Sequence, residues 1–171
     1  MAGRHDWQTW DAYQETHYSN LEAFPTFILD DRLSIEIGPV SVIWDGVLVL
    51  AGNVELSVEK VQDVMTRRDG RKAVRTRRYA YHATVAVDGR KRGILRYDNH
   101  HSHPRHPDAH HRHVRDAAGA ARVEYVGAGN WPTLGEVIKE LEGWLTSGEV
   151  ERLRALLRTR PLALGEPDEL D

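Results

Sequence analysis

The segment VSVIWDGVLVLAGNVELSV, residues 40–58, is where the chain takes on the pattern of β-strands. Two apolar runs flank Asp45-Gly46, and an Asp-Gly pair in that setting predicts a hairpin turn. Beyond the second run every other residue is apolar, which is the pattern of a strand with one buried face. The segment therefore predicts antiparallel pairing between neighbouring strands.

The same pattern continues toward the C-terminus. Residues 74–87 predict a long strand, and residues 94–98 predict a strand that returns antiparallel to it across Asp88-Gly89. A charged turn at residues 67–72 precedes the long strand. Together with residues 40–58, these elements predict a meander of about five strands.

Helices are predicted on both sides of the meander. Residues 6–18 place aromatic side chains at helical spacing behind Asp6, a candidate N-cap. Thr133 and Glu136 form a capping-box pattern that begins a C-terminal helix, and a second helix begins near Glu149. Because strands and helices are grouped rather than alternating, the fold class is α+β. We expect an antiparallel sheet with an N-terminal helix and one or two C-terminal helices packed on it.

The length of 171 residues suits one domain, expected over residues 1–160 and followed by an acidic flexible tail at residues 161–171. The chain has no cysteine, which excludes disulfides and thiolate metal sites. No apolar run approaches the ~20 residues of a membrane span. The first residues lack the apolar stretch of a signal peptide. We therefore expect a cytoplasmic protein without membrane contact.

The net charge of −3 hides an uneven distribution of charge. Residues 67–115 contain 14 Lys and Arg against four Asp, so this stretch carries +10 while the rest of the chain carries −13. Such a block produces a positive field that attracts polyanions. The alternative is that these charges only keep strands and loops hydrated, but the neighbouring histidines favour the first interpretation.

Seven of the ten histidines lie between His100 and His113. Pro104 and Pro107 exclude a regular helix or a central strand, so this histidine segment is predicted to be a loop that leaves the strand ending at Asp98. Loops of this length without structure of their own are usually either functional or disordered.

Three interpretations of the histidine segment are open. It could be a disordered connector that happens to contain histidines. It could bind Zn, Ni or Cu through neutral imidazoles, with Asp98 as a further ligand, although His110, His111 and His113 follow no known zinc spacing. Or the imidazoles, which titrate near pH 6.5, could exchange protons with RNA while Arg side chains stabilise the phosphate. We prefer the last interpretation, which needs no metal.

The strands that lead into the histidine segment allow two registers. A two-residue turn at Asp88-Gly89 would place Tyr81 opposite Arg96, whereas a three-residue turn with a bulge would place His82 there. Tyr81 is then either a core aromatic residue or a residue that stacks on bases.

Four sequence elements occur in an order that resembles the TumE family of prokaryotic toxins. They are Tyr79-Ala-Tyr-His82, Arg96-Tyr-Asp-Asn99, His103-Pro104 and His110-His-Arg-His113, followed by Pro132-Thr133 at the start of a helix. The resemblance covers about residues 79–144. The chain departs from the family pattern at Asp108-Ala109, where an aromatic-Pro pair is expected, and at Arg112, where Lys is expected.

The resemblance implies a toxin with a cognate antitoxin, and by analogy with other small toxins RNA is the expected target. We predict a metal-independent ribonuclease that uses histidine acid–base chemistry without a cofactor, although the same histidines could hold a divalent ion. A homodimer is a further expectation. The predicted catalytic residues are Asp98, His103, His110, His111 and His113. The predicted substrate-binding residues are Tyr81, His82, Arg96, Asn99 and Arg112.

Two other functions fit the sequence. A non-catalytic module could bind RNA or a protein partner through the basic surface, with a steep dependence on salt. A metal-dependent hydrolase or a nucleotidyl-modifying toxin could instead use the histidines as metal ligands.

Overall fold

A computed structural model describes residues 5–160 and Leu170, and its elements confirm the α+β class. The helices are α1 (Trp10–Glu22), α2 (Leu134–Thr146) and α3 (Glu149–Arg158). The strands are β1 (Gln8–Thr9), β2 (Ile28–Asp31), β3 (Ser34–Ile37), β4 (Ser41–Leu50), β5 (Val54–Thr66), β6 (Lys72–Val87), β7 (Arg90–Asp98), β8 (His111–Arg115) and β9 (Ala121–Tyr125).

All of these strands belong to one antiparallel sheet with the order β2-β4-β5-β6-β7-β8-β9, while β3 also pairs with β4 and β1 with β6. Over residues 5–160 the sheet has nine strands rather than about five. Strands β1 to β3 are too short to show a clear period in the sequence. Strand β8 begins inside the histidine segment. The last proline of that segment is Pro107, so residues 111–115 can adopt an extended conformation and pair with β7.

The prediction of a hairpin turn at Asp45-Gly46 is wrong, because β4 runs straight through this pair. The reason is a close approach of two backbones: a Cβ on Gly46 would lie 2.2 Å from the carbonyl oxygen of Arg32, in the connection between β2 and β3. Glycine inside a strand often marks such a contact. The actual turn to β5 follows at Gly52-Asn53, where both residues have positive φ.

The helices begin where their capping residues allow. Helix α1 begins at Trp10 rather than near Asp6, with Thr9 as the N-cap that accepts a hydrogen bond from the Ala12 amide. The capping box of Thr133 and Glu136 at the start of α2 is confirmed. Helix α3 begins at Glu149 as predicted.

The sheet has a covered face and an open face. On the covered face, α2 and α3 pack against the sheet and form the main core, to which Tyr79, Tyr81, Leu95 and Tyr97 contribute from β6 and β7. The opposite, open face carries His82, Arg96, Asp98, His111 and His113. Side chains alternate between the two faces along each strand. The register of the strands therefore decides which residues meet on which face.

The register between β6 and β7 combines features of both predicted alternatives. The turn at Asp88-Gly89 has two residues, since Val87 pairs with Arg90. A bulge at Ile94 then shifts the register by one residue, so that His82 rather than Tyr81 lies opposite Arg96. Bulges of this kind re-aim side chains next to functional sites.

Within the described residues, the structure contains no helix with the length and apolar character needed to cross a membrane. The predicted acidic tail at residues 161–171 lies outside the described part of the chain, apart from Leu170, which is buried.

The fold makes a prediction about pH that rests on His17. Burial against Trp44, whose ring centre is 4.2 Å away, together with the nearby Lys60 ammonium lowers the pKa of His17 to about 4. The unfolded chain therefore binds this proton at a higher pH than the folded chain. The stability due to neutral His17 is complete above about pH 6.5 and is lost as the pH falls toward 4, by roughly 3 kcal/mol in total.

Relative to that of His17→Phe, we expect the unfolding free energy of the wild type to fall by this amount between pH 6.5 and 4, because phenylalanine keeps the ring but cannot be protonated. Urea denaturation at several pH values measures the difference. The other histidines are present in both proteins, so their contributions to the pH dependence cancel in the difference. Parallel stability curves for the two proteins would contradict this assignment.

Candidate functional site

The candidate site lies where β6, β7 and β8 run side by side on the open face. His82, Arg96 and His113 are direct cross-strand neighbours in one row. Asp98 and His111 are cross-strand neighbours in the next row. Adjacent strands in a sheet lie about 4.8 Å apart, so these five side chains form one compact group.

Asp98 is the centre of this group and is completely buried. Its Oδ2 accepts a hydrogen bond from Arg96 Nε at 2.7 Å, and its Oδ1 accepts one from the His100 amide at 3.0 Å. His111 Nε2 lies 3.4 Å from Oδ1, and His113 Nε2 lies 3.7 Å from Oδ2. A single carboxylate therefore organises a guanidinium and two imidazoles.

The electrostatics of this group favour a charged carboxylate and neutral imidazoles. Burial alone would raise the pKa of Asp98, but the His100 amide and the Arg96 guanidinium outweigh burial and hold the pKa below its usual value. Burial lowers the pKa of His111, and it lowers the pKa of His113 to about 4, although Asp98 opposes both shifts. Near pH 7 both imidazoles are therefore neutral and can accept a proton or bind a cation.

Residues 99–110 form a loop that folds back over the same end of the sheet. The rings of His103 and His106 stack at 4.4 Å, and His106 lies 6.0 Å from the ring of His111. The loop is fastened through Asp108, which accepts hydrogen bonds from the Tyr125 hydroxyl and the Ala128 amide. His103 and His106 are thus half-buried on the side of His111, whereas His101 is exposed.

Three of the predicted site residues lie away from this group. Tyr81 is completely buried on the covered face. His110 Nδ1 lies 3.1 Å from the Tyr79 hydroxyl, and its ring stacks on Trp131, which belongs to the main core. Arg112 is also on the covered face, where it forms an ion pair with Glu140.

Asn99 has a structural position next to the site. Its Oδ1 accepts a hydrogen bond from the Tyr79 amide, and its Nδ2 donates to the Arg77 carbonyl. These contacts hold the start of the loop against β6. Asn99 therefore positions the loop without pointing at the group around Asp98.

Three residues of the site were not among the predicted ones. His101 and His106 approach His111 from the loop, and His100 lies 3.8 Å from a carboxylate oxygen of Glu59. The signal in the sequence was the position of His100 and His101 directly after Asp98. A tight turn after a strand returns the next side chains toward the end of that strand.

The basic block predicted from composition is partly neutralised. Acidic residues of β5 form ion pairs with cations of the basic block: Glu55 with Lys91, Glu59 with Arg78, and Asp63 with Arg77. By contrast, Arg105 in the loop is exposed and has no ion pair among the residues that the structure describes. On the loop side of the site, Arg105 is therefore a cation that an anionic ligand can reach.

One group in this site could hold a metal ion. Asp98, His101 and His111 each offer a ligand atom, and these three atoms lie within 4.8 Å of one another. A carboxylate with two imidazoles is a common ligand set for divalent transition metals.

Comparison with known proteins gives one match. The family model described as Toxin TumE matches residues 18–145, about three quarters of the chain. This match includes every residue of the group around Asp98. No curated protein and no solved structure is similar enough to this chain to count as a match.

The position of Arg112 generates a prediction about stability. Glu140 accepts hydrogen bonds from both Arg112 and the Tyr97 hydroxyl. Loss of Glu140 leaves a partly buried guanidinium with Glu124 as its only carboxylate partner among the described residues. We expect Glu140→Ala to lower the unfolding free energy by roughly 2–3 kcal/mol, somewhat less than the loss of a fully buried partner.

Urea denaturation measures this effect, with Glu142→Ala on the same helix as the matched control, because Glu142 has no ion pair among the described residues. Equal losses of stability in the two variants would show that the pair with Arg112 does not stabilise the fold.

Proposed function

The chain belongs to the TumE family, and we propose that it is a toxin that cleaves RNA at the group around Asp98. Membership of this family makes the chain the toxin component of a toxin–antitoxin system, with an antitoxin as its partner. The observation that supports RNA cleavage is the convergence of Arg96, His111 and His113 on one buried carboxylate. This combination can bind a phosphate and move protons.

Arg96 is the residue that we assign to the phosphate. Its Nε is held by Asp98, which fixes the direction of the guanidinium. One of its terminal nitrogens donates only a long hydrogen bond, 3.4 Å, to the carbonyl of Leu170. A phosphate oxygen in place of that carbonyl would make a stronger, charge-assisted hydrogen bond. Arg105, exposed in the loop, can contact a second phosphate of the same strand.

His113 is the residue that we assign as the general base. It is the cross-strand neighbour of Arg96, and its Nε2 lies 3.7 Å from the Asp98 carboxylate. In the proposed reaction His113 accepts the proton of a ribose 2′-hydroxyl while the 2′-oxygen bonds to phosphorus. The bond from phosphorus to the 5′-oxygen then breaks, and that oxygen takes up a proton. The products are a 2′,3′-cyclic phosphate and a 5′-hydroxyl.

The proton for the leaving oxygen needs a donor. In a metal-independent reaction a protonated imidazole supplies it, and we assign this role to His103 in the loop, because burial keeps His111 neutral near pH 7. His110 takes no part, because its side chain lies on the covered face. Each proton transfer of this kind is typically worth ~10²–10⁴ in rate.

We propose that the antitoxin neutralises the toxin by covering the open face at Arg96 and the loop. This surface carries the residues assigned to the reaction, so its occupation would exclude RNA.

The proposal predicts the effect of His113→Gln on RNA cleavage. We expect this variant to cleave labelled RNA roughly 10²–10⁴-fold more slowly than the wild type, because glutamine cannot act as a base. Induced expression of the variant should not arrest growth. His110→Gln is the matched control, since it changes a histidine of the same segment that lies on the other face, and it should retain activity. Thermal unfolding of both variants checks that each is folded.

A wild-type protein that binds RNA tightly, with a steep dependence on salt, yet leaves it intact would contradict the proposal and favour a non-catalytic binding module. Equal activity of His113→Gln and the wild type would contradict the role of His113.

A further inference from the structure

We infer that Asp98, His101 and His111 bind a divalent transition metal ion, and the geometry fits Zn²⁺ best. Binding of the ion depends on the positions of these three residues alone. Only the chemical role of the ion rests on the proposed ribonuclease function. In that reaction a water bound to the ion, in place of a histidine, would supply the proton for the leaving 5′-oxygen. Arg96 and His113 keep their roles.

Two of the three ligands are fixed on paired strands before any ion binds. Asp98 and His111 are cross-strand neighbours on β7 and β8, and they are 0% and 2% exposed. His111 Nε2 lies 3.4 Å from Asp98 Oδ1, which is long for a hydrogen bond between these groups. Two ligands of a tetrahedral zinc ion with bonds of about 2.0–2.1 Å are separated by roughly 3.3–3.4 Å. The pair therefore has the spacing of metal ligands.

His101 completes the set from the loop. Its side chain is exposed, and its ligand atom lies within 4.8 Å of the other two. This upper limit exceeds the edge of a zinc tetrahedron by roughly 1.4 Å, so a loop movement of that size or less completes the set. The residue sits only three positions after Asp98 in a loop without regular structure, which makes a movement of this size easy.

The surroundings of Asp98 have the hydrogen bonds that support a metal-bound carboxylate. Arg96 Nε donates to Oδ2 and the His100 amide donates to Oδ1, so the carboxylate cannot rotate. Outer partners of this kind orient the ligands and are part of most metal sites.

Unsatisfied imidazole nitrogens give an independent reason to expect a ligand here. The Nδ1 atoms of His103, His106 and His111 are buried and have no hydrogen-bond partner among the described residues. His113 Nε2 is in the same state. A buried polar atom without a partner costs about 1–3 kcal/mol, so these nitrogens near His111 indicate that the site accommodates further polar groups beside the three ligand atoms.

The ligand set narrows the choice of ion. Mg²⁺ and Ca²⁺ prefer oxygen ligands throughout and keep several waters, which does not suit two imidazoles. Two nitrogens and one carboxylate oxygen suit Zn²⁺, and three protein ligands leave one position open. A water in that position would be acidic enough to give the leaving 5′-oxygen its proton.

Metal binding can be measured directly on the full chain without a histidine affinity tag. The protein is stripped with EDTA, given a small excess of Zn²⁺, desalted and analysed for zinc. We expect about one zinc per wild-type chain and at least a tenfold loss of affinity in His101→Gln, whose exposed side chain is not needed for folding. We also expect His110→Gln to bind like the wild type. Saturating zinc should raise the Tm of the wild type by roughly 5–10 °C, and that of His101→Gln much less.

Two outcomes would overturn the inference: a wild-type chain that retains no zinc, or equal retention by the wild type and His101→Gln. RNA cleavage distinguishes this failure from failure of the proposed function. If a chain that binds no zinc still cleaves RNA in EDTA, the metal site is refuted and the proposed ribonuclease function stands. If a chain binds stoichiometric zinc but never cleaves RNA, the metal site stands and the proposed function is refuted.

Discussion

The bulge at Ile94 in β7 is the constraint on which the candidate site depends. Without it, Arg96 would pair with Tyr81 and face the core, and Tyr97 and Leu95 would face the opposite side. A shift of one residue in a strand moves every following side chain to the other face. The bulge thus keeps Tyr97 in the core and brings Arg96 and Asp98 to the open face beside His111 and His113.

Separation of the two faces allows the same segment of chain to stabilise the fold and to carry chemistry. Along β8, Arg112 and Val114 contact the core and α2, while His111 and His113 flank Asp98. On the covered face, Arg112 is paired with Glu124 and Glu140. On the open face, Arg96, His111 and His113 converge on a buried carboxylate. This convergence is the physical basis for placing the proposed chemistry on the open face.

The group around Asp98 connects the toxin family to a plausible reaction. Neutral imidazoles accept protons or bind metal, and a guanidinium held by the same carboxylate binds phosphate. Acidic residues of β5 pair with cations of β6 and β7, so the strong positive block seen in the sequence is reduced at the surface. What distinguishes this site is therefore the arrangement of a few side chains more than the total charge.

Local chemistry made several elements predictable from the sequence: the capping box at Thr133, the turn at Asp88-Gly89, and a histidine segment next to Arg96 and Asp98. The resemblance to the TumE family also rests on sequence, and the family match confirms it. Only the tertiary structure decided that Gly46 lies within a strand and that the sheet has nine strands over residues 5–160. It also decided that Arg112 and Tyr81 face the core, whereas His101 lies near Asp98. The reason is that strand register and backbone approach depend on residues far apart in the chain, whereas caps and turns depend on neighbours.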